Sequence, residues 1–258
     1  MSDQSTVIYA VDGAVATVTM NRPDAMNSFN VALRADLTAV LQQADNDEAV
    51  RVVVLTGAGR AFSPGADLKE GINDAVERQL NHEYRPVLDA INNMRKPVIA
   101  ALNGFAAGVG LSVALTSDLV VMGDNAFLLS PFTAISLVPD GGATWLLVRQ
   151  LGYKRAYQMS IEGERLSAAD ALDAGLINRV VPADDVVSNA QAWAGELAEK
   201  APLSLAATKR AMRLAMSASY DEAFRFEAML QGQCAASEDA AEGVQAFLEK
   251  RPAKFTGK

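Results

Sequence analysis

Three stretches of this sequence carry residues that could do chemistry. The first is Leu137-Val138-Pro139-Asp140-Gly141-Gly142-Ala143-Thr144-Trp145, a carboxylate set among apolar neighbours. An aspartate in water titrates near ~3.9, and burial raises that value toward a useful proton acceptor. Leu137, Val138 and Trp145 are the expected source of burial. The same Pro-Asp-Gly string also suits a helix cap or a turn. The other two stretches are turns of small residues, Ala61-Phe62-Ser63-Pro64-Gly65-Ala66-Asp67-Leu68 and Asn103-Gly104-Phe105-Ala106-Ala107-Gly108-Val109-Gly110. Small residues let a ligand approach the backbone, and helix N-termini present free N–H groups with partial positive charge. Two such groups from different loops, converging on one point, would stabilise an enolate or a tetrahedral oxygen. Close packing alone also produces such turns. Neither a dinucleotide fingerprint nor a phosphate-loop Gly-Lys-Ser/Thr ending is present in the second turn, since Leu111-Ser112-Val113 follows it.

These stretches need elements to position them. Val7–Val11 and Ala14–Met20 read as a hairpin around Asp12-Gly13. Ser28–Asp45 has apolar residues at helical spacing (Val31, Leu33, Leu37, Val40, Leu41). Val50–Thr56 and Pro97–Asn103 are continuous apolar runs, expected as buried strands, and each ends at one of the small-residue turns. Asn73–Met94 reads as a helix with a kink at Pro86. A helix over Val109–Ser117 and a strand over Leu119–Met122 follow. Alternating strands and helices imply right-handed crossovers and a largely parallel sheet, hence an α/β fold. From about Leu166 helices are expected at Ser167–Ala174 and Asp184–Lys200 around a strand at Ile177–Val181. Residues 1–200 read as the core and 201–258 as a helical region whose apolar residues (Leu205, Met212, Met216, Phe224, Phe226, Met229, Leu230) cover the core or another subunit.

Composition narrows the function. Of 258 residues half are hydrophobic, enough for a sizeable core, and the net charge is −8 without a basic cluster. Nucleic acid and anionic membrane are therefore not the expected partners. With one cysteine (Cys234) and one histidine (His82), no structural zinc site of four Cys/His ligands can be built within one chain. His82 lies in a polar stretch, and Ser112 lacks a Gly-x-Ser-x-Gly elbow, so a serine-hydrolase triad is not expected. The opening MSDQSTVIYAVDG has no basic and apolar leader pattern and no apolar run reaches membrane-spanning length, so a cytoplasmic location is expected.

The segments Asn21-Arg22-Pro23…Asn27, Ala61–Leu68, Lys96-Pro97…Asn103-Gly104…Ala107–Gly110…Ser117-Asp118 and Glu242-Gly243…Ala246–Arg251 together resemble the motifs of the crotonase (enoyl-CoA hydratase/isomerase) superfamily, in order and spacing. The resemblance covers essentially the whole chain. It implies a spiral of ββα turns with C-terminal trimerising helices, a trimer or dimer of trimers, and an acyl-CoA thioester substrate. No metal or redox cofactor is implied, because coenzyme A is part of the substrate. The oxyanion donors would be the backbone N–H groups of Ala66 and Val109. Ser63, Gly65, Asp67, Leu68, Gly108, Phe132, Tyr84 and Trp145 would line or shape the acyl pocket, with Asp67 orienting its loop. Arg22, Lys250, Lys254 and Phe255, together with Phe247, would meet the coenzyme A portion.

The resemblance also bears on the reaction. Typical hydratases hold water with two glutamates, at positions matching Ser112 and Phe132; neither is acidic here. Asp140 resembles the acid of Δ3,Δ2-enoyl-CoA and dienoyl-CoA isomerases, and its string is similar to that of ring-1,2-epoxyphenylacetyl-CoA isomerases. One carboxylate can shift a double bond by taking a proton and returning it elsewhere. The expectation is an acyl-CoA isomerase with Asp140 as acid and base. An enoyl-CoA hydratase with unusual acids, a dienoyl-CoA isomerase and a non-catalytic acyl-CoA-binding subunit stand as alternatives.

Overall fold

The computed structural model describes residues 5–71 and 75–258. Its main sheet is built on the runs that the sequence marks as apolar. Strands β1 (Val7–Asp12) and β2 (Val15–Met20) form the expected hairpin, with Gly13 at φ +55° in the turn. β2 then pairs in parallel with β3 (Val52–Gly57), which pairs with β4 (Val98–Leu102). β3 and β4 are buried along their whole length, and alternation sorts their side chains onto two cores. Val53, Leu55, Val98, Ala100 and Leu102 face the larger core. Val52, Val54, Ile99 and Ala101 face the other way, against Val186, Ala190, Ala194 and Ala198. The last four are spaced by four residues, one stripe of a helix that lies across the sheet.

A second, smaller layer turns the sheet into a spiral. β5 (Ala106–Ala107) pairs in parallel with β7 (Phe127–Leu129), and β7 pairs antiparallel with β8 (Leu166–Ser167). Single-residue bridges Phe29↔Ala66 and Ser63↔Ala106 continue this layer across the two small-residue turns. Three main-sheet strands are each followed by a second-layer segment and then a helix. β2 leads through Phe29 to α1 (Val31–Asn46). β4 leads through β5 to α4 (Val109–Thr116). β6 (Leu119–Gly123) leads through β7 to α5 (Ala143–Leu151). This is the crotonase-like ββα spiral. β9 (Arg179–Val181) closes the sheet beside β6.

Several local expectations shift. Helix α1 begins at Val31 rather than Ser28, because Phe29 joins the second layer and the Asn30 side chain accepts a 2.9 Å bond from Leu33 N–H as N-cap. Val31, expected on its apolar stripe, is 59% exposed. Asn73, the expected start of the next helix, lies outside the described residues. That helix is in fact α2 (Val76–Gln79), a π turn at Leu80–Tyr84, and α3 (Arg85–Asn93). Gln79, Leu80, Tyr84 and Arg85 all keep right-handed helical backbone, so the helix runs on through the π turn, and Pro86 follows that turn closely, where the break in regular bonding accommodates its missing N–H. Also found are α6 (Tyr153–Glu162), α7 (Ala168–Asp173) and the sheet-covering α8 (Val186–Ala198). α9 (Pro202–Ala215), α10 (Tyr220–Ala235) and α11 (Glu238–Glu249) make the C-terminal helical region. Arg213 and Lys209 of α9 both pair with Asp118, at 2.9 and 2.7 Å, and so fix that region to the end of α4. Among the described residues no helix is long and apolar enough to cross a membrane.

Candidate active site

The two small-residue turns meet in space, and the reason lies in their glycines. Gly65 has φ +104°, and a Cβ there would stand 3.0 Å from Ala107 O and 3.2 Å from Val109 N. Gly108 favours glycine through its positive φ (+55°) rather than through space, since a Cβ there would make ordinary contacts with Pro64 O (3.4 Å) and Gly65 Cα (3.5 Å). The approach is held by Ser63, whose N–H donates to Phe105 O and whose carbonyl accepts from Ala107 N–H. In the Phe29↔Ala66 bridge the bonds run through Gly65 O and Asp67 N–H, so the N–H of Ala66 itself points the other way. Among the described residues neither the Ala66 nor the Val109 N–H has an acceptor. Val109 is the first residue of α4, where such a donor is free by construction.

A cavity of about 150 Å³ opens at this junction. Ala66, Asp67, Leu68, Gly108, Val109, Phe132, Tyr84 and Asp140 all line it. Residues far apart in sequence thus converge as expected. Ser63 and Gly65 do not line it. They are buried beneath it, with Ser63 Oγ donating to Asn27 O at 2.9 Å and accepting from Gly65 N–H. Trp145 is a correction: it is 41% exposed and lines a neighbouring cavity, which shares only Leu80 and Tyr84 with the first. Val138, expected to bury Asp140, is 77% exposed.

Asp140 is nevertheless half-buried, with one carboxylate oxygen enclosed. Among the described residues its Oδ1 is enclosed and has no hydrogen-bond partner. Burial, with no cation or donor to offset it, pushes its carboxyl up to about 6. Tyr84, Phe132, Leu137 and Val109 share the cavity wall with it. The turn at Asp140 is allowed by Gly141 and Gly142, both at positive φ. Ser112, fully buried in α4, donates a 2.9 Å bond to the Asp140 carbonyl oxygen.

The motif residues mostly hold the turns. Asn27 Nδ2 donates to Ala58 O and Ala61 O, and Asn103 Nδ2 donates to Gly59 O. Arg22 does not present a free guanidinium. It bonds the Ser28 carbonyl and pairs with Asp67 at 2.9 Å. Burial opposes the Asp67 charge, but bonds from Arg22, the Lys69 N–H and Ser28 hold its carboxyl below the ordinary range. Lys250, Lys254 and Phe255 are not brought to this cavity within one chain. Phe255, with Phe247, lines a separate hollow among the C-terminal helices.

Sequence reading missed Arg34, the largest fully buried side chain. Its guanidinium bonds Glu83 (2.6 Å), Glu70 (3.0 Å), Phe29 O (2.8 Å) and the Tyr84 hydroxyl (3.1 Å), and it lies 4.7 Å from the Tyr84 ring centre. The signal was there: Arg34 shares a helix face with Leu37 and Leu41, where a charge must find buried partners.

A thioester oxygen at the paired amides and a carbon acid near Asp140 fit this arrangement, and known proteins agree on the class. The family model for enoyl-CoA hydratase/isomerase matches residues 10–258. The chain belongs to that family, the crotonase superfamily. It is 42% identical to a probable enoyl-CoA hydratase of Rhodobacter capsulatus over 98% of each chain. It is 36% identical to the 1,2-epoxyphenylacetyl-CoA isomerase of Escherichia coli, again over 98% of each. Among solved structures, an enoyl-CoA hydratase subunit from Geobacillus kaustophilus superposes with TM-score 0.94 at 36% identity, covering 100% of both chains.

Proposed function

We propose that this enzyme is an acyl-CoA isomerase in which Asp140 moves a proton between two carbons of the acyl group. The carrying observation is a partnerless carboxylate in the same cavity wall as two unoccupied main-chain donors. In a 3-enoyl thioester the ionised Asp140 takes a proton from C2. The electron pair passes to the thioester oxygen, where the Ala66 and Val109 amides stabilise the dienolate. The protonated Asp140 then returns the proton at C4, and the double bond ends between C2 and C3. Its elevated pKa suits both halves, since a poised acid must accept and release near neutral pH. A ring-epoxide thioester would use the same hole and the same carboxyl. The reaction asks for no group beyond the coenzyme A thioester. Exposed Phe247, Leu248 and Met212 on the C-terminal helices support assembly into trimers or dimers of trimers, with Lys250, Lys254 and Phe255 meeting coenzyme A there.

The second reading is a hydratase, favoured by the name of the 42% relative. Against it stand Ser112 and Phe132, which can neither ionise nor hold a water between two carboxylates. A panel of 3-enoyl-, 2-enoyl-, 2,4-dienoyl- and 3,5-dienoyl-CoA esters separates the readings. Gain of conjugated absorbance from the 3-enoyl ester is expected, and loss of it from the 2-enoyl ester would favour hydration. Asp140→Asn keeps the shape and should lower kcat on the accepted ester by about 10³-fold. Undiminished turnover in that variant rules the assignment out.

A further inference from the structure

The proposed reaction gives no role to Ser112, whose hydroxyl meets the backbone of Asp140. Ser112 is completely buried on α4, three residues after the oxyanion donor Val109. Helical serines and threonines in this protein usually turn back on their own helix. Thr116 Oγ1 donates to Ser112 O, Ser117 Oγ to Val113 O, and Ser160 Oγ to Ala156 O. Ser112 instead donates across to the Asp140 carbonyl oxygen at 2.9 Å, which also accepts from Ala143 N–H at 3.0 Å.

The turn that receives this bond has little preference of its own. Gly141 and Gly142 lie at φ +60° and +81°, and two glycines lose more conformational freedom than any other pair. Something outside the turn must choose its geometry. The contact is tight: a Cβ on Gly141 would fall 2.9 Å from Ser112 Cβ, 3.0 Å from its Oγ and 3.3 Å from a Val109 methyl. The start of α4 and the Asp140 turn therefore touch with no room for a methyl group between them.

We propose that Ser112 is a positioning residue: its hydroxyl latches the Asp140–Gly141 turn to the helix whose first amide is an oxyanion donor, so that base and oxyanion site keep one fixed relation. This rests on the reading of Asp140 as the base. Because the latch acts on the backbone, its loss frees the carboxyl to move toward water without removing it. A larger residue at position 112 would push the turn away.

The test is Ser112→Ala, with Thr116→Ala as the control that removes a buried hydroxyl of the same helix without touching the Asp140 turn. In Ser112→Ala, kcat on the accepted ester should fall about tenfold, with KM within about twofold of the parent. The acid limb of its kcat/KM–pH profile, which reports the free enzyme, should move down from about 6 toward the ordinary aspartate range, as Asp140 gains solvent. The other titratable groups on this cavity wall are already bonded, Asp67 to Arg22 and Glu70 and Tyr84 to Arg34, so the limb belongs to Asp140. Thr116→Ala should stay within about threefold of the parent and keep its limb. An infrared titration of the substrate-free protein, subtracting Asp140→Asn, reads the same carboxyl without turnover. If that band titrates lower in Ser112→Ala, the latch holds even should every ester fail as a substrate, and only the isomerase reading falls. If the parent is active and the band and limb stay put, the latch is overturned, whether or not kcat drops.

Discussion

Arg34, behind the cavity wall, and Asp140, in that wall, meet burial in opposite ways. Arg34 lies behind Glu70 and Tyr84, with each of its nitrogens bonded to a carboxylate, a carbonyl or a hydroxyl. Burial works against its charge, but Tyr84 and the bonds to Glu83 and Glu70 outweigh that and hold its pKa above the ordinary value. Asp140 has one enclosed oxygen and nothing to bond it, and its carboxyl rises to about 6. A charge with every partner in place is fixed and chemically inert at neutral pH. A charge left without partners can change its protonation state at small cost, which is what proton transfer requires.

The comparison breaks most visibly at Arg34. Arg34→Met removes the cation and strands Glu70, Glu83 and the Phe29 carbonyl. Cutting one partner from a buried pair costs about 3–5 kcal/mol, and the partial exposure of Glu70 (28%) and Glu83 (41%) lowers this to about 2–3 kcal/mol. Urea unfolding should show the loss, and a shift below about 1 kcal/mol would mean that the network is ornamental.

At Asp140 the expected sign is reversed. Its folded pKa of about 6 exceeds the ordinary 3.8, so the folded state binds more protons in that window and stability falls as pH rises through it. Above about pH 6 the burial costs up to about 3 kcal/mol. Asp140→Asn should therefore raise the melting temperature at pH 8 while lowering kcat about 10³-fold, and the gain should vanish below about pH 4. A variant that melts with the parent at every pH would mean that the carboxyl is solvated in the folded state.

Which parts were legible in the sequence follows from the range of the physics. β3 and β4 are continuous apolar runs, and their burial needs no partner to be inferred. The cavity residues Ala66, Val109 and Asp140 were named through motif spacing, which carries three-dimensional information that local pattern lacks. The second layer was invisible because its strands are two or three residues long, and two of its rungs are single residues, Phe29 and Ser63. Helices α5 and α6 were missed for a related reason: Val148, Tyr153, Tyr157 and Ile161 on them are exposed apolar residues, which blur the face that periodicity would reveal. Trp145 was assigned by proximity in sequence to Asp140, but a helical turn carries it to the adjoining cavity.

The smallest effect is expected where pairing lies between these extremes, at Arg22 and Asp67. Their 2.9 Å bridge sits at the cavity rim with side chains 20% and 10% exposed. Asp67 is the depressed case: the stability its pair contributes is present above the ordinary 3.8 and lost as pH falls through the lower folded value. A pair less exposed than a surface bridge but short of full burial contributes about 1–2 kcal/mol. Asp67→Asn keeps an oxygen for the Lys69 N–H but loses the charge that holds Arg22. Because Asp67 follows Ala66 directly, a loosened loop would misplace the amide rather than remove it. Steady-state kinetics should therefore show kcat/KM lowered by less than about fivefold, with the acid limb near 6 unchanged. A collapse comparable to that of Asp140→Asn would move Asp67 from loop support into the chemistry.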